Sequence, residues 1–229
     1  KSKTQYPVGV SPLFIERAQG SKVWDIDGNE YVDFVNALLS VSIGYCYAPI
    51  DDAVINQLGK GVSFSLPSML EYEVASLLVD LVPCAEMVRF GKNGSDATSA
   101  AIRLARAYTS RDLIAVCGYH GWHDWYIGST TKSLGVPSAT AALTYSFPYN
   151  DIDALERLLD TNRGKFAAII MEPINSTYPN PGYLEAVREL ASRHKVVLIF
   201  DEICTGARVS PGGAQELFNV IPDLCVMGK

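Results

Sequence analysis

Asp201 and Glu202 stand directly after Val196-Val197-Leu198-Ile199-Phe200. An acidic pair at the end of an apolar run is costly to bury unless something binds or neutralises it. A carboxylate there could hold Mg²⁺, as a Walker B acid does, or pair with a protonated heterocycle nitrogen. Gly91-Lys92-Asn93-Gly94-Ser95 leads directly into a helical pattern. Its two glycines let the backbone turn and expose N–H groups, and a helix N-terminus favours an anion such as phosphate. The same loop also fits an ordinary strand–helix turn. Gly118-Tyr119-His120-Gly121-Trp122-His123-Asp124-Trp125-Tyr126 is a dense aromatic segment just past another apolar run. It suits either stacking on a planar ring or a folded aromatic plug. Met171-Glu172-Pro173-Ile174-Asn175 sets a further acid after a third run. Lys229 reads either as a solvated terminus or as the amine of a Schiff base, since a desolvated lysine can attack a carbonyl.

These features need elements that bring them together. Val23 to Phe34 reads as two short strands around Asp27-Gly28-Asn29, residues that tolerate left-handed backbone. Pro49 to Leu58 reads as a short helix stopped by Gly59 and Gly61. Ser68 fits an N-cap with Glu71 as its reciprocal partner, ahead of a helix through Leu70, Val74, Leu77, Leu78 and Leu81. Glu86 to Phe90 is a strand candidate. Asp96 to Tyr108 reads as a helix with Ala97, Ala101, Leu104, Ala105 and Tyr108 on one stripe. Strands are expected at Leu113 to Cys117, Leu143 to Phe147, Phe166 to Met171, Val196 to Phe200 and Leu224 to Met227. Helices are expected at Ile152 to Leu159 and Leu184 to His194. Alternating helices and unbroken apolar strands predict an α/β layer with a largely parallel sheet buried on both faces. Ligands in such sheets bind at the C-terminal ends of the strands, where the polar features above collect. A boundary is expected near residue 60. A parallel sheet of this kind usually continues past such a last strand, so a longer protein is expected.

Composition narrows the classes. The chain has 229 residues, 48% hydrophobic and 19% charged, enough for a buried core. A net charge of -6 with no basic run argues against a nucleic-acid groove. No apolar stretch is long enough to span a membrane. Lys1 to Pro12 lacks the apolar core of a signal peptide, and the chain reads as cytoplasmic. The 5 cysteines are widely spaced with no CxxC pair, so neither zinc nor a disulfide framework is expected. Cys117, Cys204 and Cys225 read as small buried hydrophobes. His120 and His123 could share a helical face, but a metal would need Asp124 and more, so no metal is expected. A nucleotide-binding module would need GK[ST] or GxGxxG, and neither is present.

Taken in order, from Val23-Trp24-Asp25-Ile26-Asp27-Gly28-Asn29-Glu30-Tyr31-Val32-Asp33-Phe34 to Pro222-Asp223-Leu224-Cys225-Val226-Met227-Gly228-Lys229, the blocks resemble a known family. The chain is similar to the N-terminal half of a class III (omega-type) aminotransferase of fold type I, nearest its glutamate-1-semialdehyde aminomutase branch. The resemblance implies a three-layer large domain that binds pyridoxal 5'-phosphate. Residues 1–60 would belong to the small domain and substrate-side loop, and 61–229 to an incomplete large domain. It implies that Gly94 and Ser95 hold the cofactor phosphate, with Asp96 following. Tyr119 would stack on the pyridine ring, with His120 and Gly121 after it, and Ile203 would pack on the opposite face. Glu172 matches the acid of the family's Glu-Pro block, and Asn175 would lie near the 3'-oxygen. Asp201 would keep the ring nitrogen protonated. Lys229 would form the internal aldimine and then carry the proton between substrate and cofactor carbons. An amino donor such as glutamate, a carbonyl acceptor and a homodimer are implied partners.

The sequence also departs from the aminomutase branch. Trp122-His123-Asp124-Trp125-Tyr126 replaces a plainer His-Gly-His type of segment, and Ile43-Gly44-Tyr45-Cys46-Tyr47 replaces a Leu-Gly-His-like block. An aromatic, polar pocket suits a sugar acceptor. The alternatives are internal 1,2-amino transfer and a truncated homologue that only binds. Retention of Asp201, Tyr119 and Lys229 together argues against the last.

Overall fold

The fold is that of a computed structural model, which describes residues 9–229. The segment before residue 9, part of the stretch read for a signal peptide, lies outside the described residues. The chain divides into two compact units. The first runs to Ser68 and includes Lys229; the second is Met69–Gly228.

In the first unit, β1 (Ile15–Gln19), β2 (Lys22–Asp25) and β3 (Glu30–Val32) form an antiparallel sheet in that order. The expected pair of strands is β2 and β3. β1 escapes a pattern reading because Ile15-Glu16-Arg17-Ala18-Gln19 is largely exposed and does not alternate. Asp25 organises the β2–β3 turn. Its carboxylate accepts from the Asp27 and Asn29 N–H groups, the Asn29 amide and the Tyr31 hydroxyl at 2.8–3.1 Å. These bonds, the Asn29 amide foremost, hold the carboxyl below its ordinary range. A left-handed turn, α1 (Asn36–Leu39), follows, then α2 (Ala48–Leu58), with Pro49 in its first turn and Gly59 at its end.

The second unit opens with α3 (Met69–Leu81) and α4 (Gly94–Thr109). Then come β4 (Leu113–Cys117), α5 (Asp124–Ile127), α6 (Ser138–Ala141), β5 (Thr144–Ser146) and α7 (Ile152–Thr161). It closes with β6 (Phe166–Met171), α8 (Tyr183–His194), β7 (Val197–Glu202), α9 (Ala214–Phe218) and β8 (Leu224–Met227). The five strands are parallel in the order β5-β4-β6-β7-β8.

Alternation splits the core into two layers. Ala115, Cys117, Ile169, Met171, Leu198 and Phe200 pack with Leu155 and Leu159 of α7 and Leu184 and Val187 of α8. Ile114, Val116, Ala168, Ile170, Ile199 and Val226 pack with Ala101, Ile102 and Ala105 of α4. Each fully buried aliphatic side chain contributes about 1.5–3 kcal/mol. The result is a three-layer α/β unit. Among the described residues no helix is long and apolar enough to cross a membrane.

Two expectations need correction. Glu86 to Phe90 is not a strand, because no strand of the sheet offers it a ladder. The buried stripe of α4 is not the one expected. Ser95, Thr98, Ala101, Ile102 and Ala105 face inward, while Leu104 and Tyr108 are 59% and 86% exposed. Thr98 sets that rotation, since its hydroxyl donates to the Ser95 and His120 carbonyls and belongs inside.

β7 runs two residues further than expected and takes both acids into the sheet. Glu202 is fully buried. It accepts from the Thr205 hydroxyl at 2.7 Å, the Ala214 N–H at 2.6 Å, and the Gln215 N–H and side-chain amide at 3.1 and 3.0 Å. A carboxylate has about four lone-pair sites, so Glu202 is fully paired. It thereby ties the end of β7 to the first turn of α9. Glu202→Gln conserves volume but turns an NH₂ toward these donors. We expect it to lower the unfolding free energy by roughly 2–4 kcal/mol in urea titration. An unchanged midpoint would refute that role.

Candidate active site

Because the strands are parallel, their C-terminal ends share one edge. The register pairs Cys117 with Met171, Met171 with Phe200, and Asp201 with Val226. The residues that follow β4, β6 and β7 therefore leave the sheet side by side.

Asp201 is 3% exposed and points into the α4 layer, the face opposite Glu202. Its Oδ2 meets His120 Nδ1 at 2.7 Å, and its Oδ1 accepts from the Ile203 N–H at 3.2 Å. His120 is buried, with Nε2 on the Cys117 carbonyl at 3.2 Å. A carbonyl only accepts, so Nε2 carries a proton. Trp125 lies nearly parallel to the His120 ring at 6.5 Å, and Tyr126 meets it edge-on at 5.3 Å.

The aromatic segment thus does two jobs. Trp125 and Tyr126 are the plug, anchored by Trp125 Nε1–H on the Ser99 hydroxyl and by the Tyr126 hydroxyl on the Gly118 carbonyl. Tyr119 and Trp122 are 62% and 69% exposed and leave their faces open. His120 and His123 do not share a helix, since α5 begins only at Asp124. His123 turns instead to the Ser99 hydroxyl at 2.8 Å. Among the described residues no group of three or more His, Cys, Asp or Glu could hold a metal.

Glu172 fixes the other side of Tyr119. Its Oε2 accepts from the Tyr119 N–H at 3.1 Å and the Asn175 amide at 3.0 Å. Gly118 permits this, because a side chain there would overlap the Glu172 carboxylate and its φ is +106°.

The N-terminus of α4 offers N–H donors that could hold an anion. Asn93 caps it by accepting from the Asp96 N–H at 3.1 Å. Gly94 and Ser95 therefore sit in the first helical turn rather than in the loop expected to precede it. Among the described residues their N–H groups have no partner. The Ser95 hydroxyl reaches the Trp122 N–H at 3.4 Å. Ile203 lies on Gly94, where any Cβ would collide with it, and also touches Gly228. Lys229 follows β8 by two residues and belongs to the first unit. The second unit thus gathers an anion-binding helix end, an open aromatic face, an aliphatic face and a buried acid. That set can hold a planar, cationic heterocycle bearing an anionic arm.

Residues 5–229 match the family described as aminotransferase class-III. The chain belongs to that family. Among curated class-III relatives, the 3-aminobutyryl-CoA aminotransferase of Cloacimonas acidaminovorans is 48% identical over 228 residues, covering 96% of this chain and 54% of its own. The glutamate-1-semialdehyde 2,1-aminomutase of Salinibacter ruber is 44% identical, over 97% of this chain and 54% of its own. An omega-transaminase structure from Sphaerobacter thermophilus superposes with a TM-score of 0.90 at 35% identity, over 100% of this chain and 57% of its own. The chain therefore spans about half the length of the curated relatives it matches.

Within this class-III chain, the sequence reading missed what holds the site together. His120 was named, but its partner Asp201 lies 81 residues away. Gly118 and Gly121 carried a usable signal, since glycines directly flanking Tyr119-His120 mark close backbone approach. Gly121 has φ +100°, and a side chain there would collide with the Ser95 hydroxyl. Gly121→Ala is expected to lower the melting free energy by about 1–3 kcal/mol. Calorimetry of the two proteins checks it, and equal melting temperatures would refute the close approach.

Proposed function

We propose that this chain is the cofactor-binding half of a pyridoxal 5'-phosphate-dependent aminotransferase. It moves an amino group from a donor such as glutamate to a keto or aldehyde acceptor. The observation that carries the reading is the buried Asp201 carboxylate at the strand ends. His120 and the Ile203 N–H use part of its accepting capacity, and the rest suits a ring N–H. The unpartnered Gly94 and Ser95 N–H groups suit the phosphate. The residues present therefore fit the group.

When bound, pyridoxal 5'-phosphate supplies an electron sink next to the substrate's amino carbon. Asp201 holds a proton on the ring nitrogen, and His120 holds Asp201 in place. Tyr119 and Ile203 would cover the two ring faces. Glu172 fixes Tyr119 through its backbone N–H and accepts from the Asn175 amide, and Asn175 would lie near the 3'-oxygen. Lys229 Nζ would be the amine that holds the aldehyde, and would move a proton at the substrate carbon. The same reading takes residues 1–60 as part of the small domain and 61–229 as the cofactor domain. It is that of a cytoplasmic homodimer with small-molecule partners only. Exposed Met69, Leu70 and Leu77 on α3 suit an apolar contact with another chain.

A second reading, internal 1,2-amino transfer, is favoured by aminomutases 41–44% identical to this chain. It uses the same residues. Glutamate assayed with a panel of keto acids, keto-sugars and acyl-CoA carbonyls separates the two, because only the transaminase releases free keto acid.

Borohydride reduction with added pyridoxal 5'-phosphate, then peptide mapping, is expected to leave a pyridoxyl adduct on Lys229. An unmodified Lys229 would overturn the catalytic reading. Asp201→Asn is expected to lower kcat on the order of 100-fold while the adduct still forms.

A further inference from the structure

α4 serves the site twice. Its first turn carries Gly94 and Ser95, and one turn further on Ser99 faces the aromatic segment. Ser99 Oγ accepts from Trp125 Nε1–H at 2.9 Å and meets His123 Nδ1 at 2.8 Å. Trp125 is buried, so its single N–H needs that acceptor. The indole lies 15° from parallel to the His120 ring, at 6.5 Å, and His120 Nδ1 meets Asp201 Oδ2 at 2.7 Å. The Thr144 hydroxyl fixes the backbone of Trp125 by donating to its carbonyl at 2.5 Å. Side chains therefore run in contact from His123 through Ser99, Trp125 and His120 to Asp201. His123 is the outer end of this series, its side chain 33% exposed, with Trp122 edge-on to its ring at 5.3 Å.

We infer that His123 is a positioning residue for Asp201: by ordering the Ser99 hydroxyl it holds Trp125 against His120, and so fixes the acid that faces the ring nitrogen. The series of contacts stands without the cofactor reading, and only its consequence for pyridoxal 5'-phosphate rests on that reading. The same helix offers the N–H donors of Gly94 and Ser95, so α4 sets the spacing between the anionic arm and the ring acid.

Proton counting gives the direction. A hydroxyl has one proton to give and two sites that accept. In this arrangement Ser99 receives the indole proton and gives its own to His123 Nδ1, the bare nitrogen. His123 Nε2 then carries the ring proton and turns toward Asp96 Oδ1, 3.9 Å away. Asp96 is held by its own N–H on the Asn93 side chain. The backbone of His123 is fixed independently, since its carbonyl accepts from the Tyr126 and Ile127 N–H groups at 3.0 Å. A change of side chain leaves those bonds in place, which separates the role of the ring from that of the turn.

The test follows isotope-labelled histidine side chains by NMR in the cofactor-free protein. His123 is expected to show a bare Nδ1 and a protonated Nε2. Ser99→Ala is expected to move the His120 nitrogen signals together with those of His123. His123→Asn keeps an acceptor near the place of Nδ1 and is expected to hold the His120 signals at their parent values. His123→Gln carries its polar end to the place of Nε2 and is expected to move them. The two replacements differ by one methylene, so a general folding defect would displace both alike. Equilibrium dialysis with pyridoxal 5'-phosphate is expected to give about 5-fold weaker binding for His123→Gln, and parent affinity for His123→Asn. His120 signals indifferent to Ser99→Ala, or moved equally by the Asn and Gln replacements, would overturn the inference. A proton on His123 Nδ1 would overturn the assigned direction. A parent protein that binds no pyridoxal 5'-phosphate would count against the cofactor reading alone, because the NMR comparison needs no cofactor.

Discussion

A carboxylate with no exposed surface holds the second unit together. Glu202 sits inside the sheet, and only its four donors make that burial tolerable. Those donors come from the turn after β7 and from the start of α9, so one side chain fixes the path of the chain on leaving the strand. Gln215 extends the network to the turn after α3. Remote segments are thereby tied to the end of β7, and the next residue back, Asp201, gains a rigid base. Strand alternation then sends Asp201 to the opposite layer, where His120 awaits it.

The site is the second consequence. Several of its segments are fixed by side chains that bond backbone N–H and C=O groups. Glu172 grips the Tyr119 N–H, Thr98 grips the His120 carbonyl, and Asn93 caps α4. Gly94, Gly118 and Gly121 give the space that lets these segments touch. Preorganisation of this kind places charge and hydrogen-bond donors before any ligand arrives. It also explains why the aromatic segment is split in function, with Trp125 and Tyr126 supporting His120 from behind while Tyr119 stays open.

Much of this was legible in the sequence, for identifiable reasons. β4, β6 and β8 were read to the residue because a strand buried on both faces is a plain apolar run. Their parallel direction, though not their order in the sheet, follows from the intervening helices. The end of β7 was misread because acids mark a loop by composition, and only tertiary partners let them stay in the strand. The α4 stripe was misread because Thr98 is buried through two carbonyl contacts that no periodicity reveals. Glu86 to Phe90 has strand-like residues but no partner strand, and pairing is not a local property. Individual site residues could be named from family blocks. The His120–Asp201 pair could not be, because it joins segments far apart in the chain.

The adjacency of Asp201 and Glu202 bears on how the chain finds its fold. Two acids that differ by one methylene occupy consecutive positions, yet each has a distinct set of partners on its own face. A slip of β7 by one residue during folding would exchange them. Asp201 would then meet the backbone donors of α9 with a shorter reach, and Glu202 would crowd His120 beside Trp125. Phe200 and Ile199 would trade layers at the same moment. The misregistered sheet would pay in unmet donors on one side and in overpacking on the other. The pair of acids therefore acts as a proofreading mark, and β7 can dock stably in one register only.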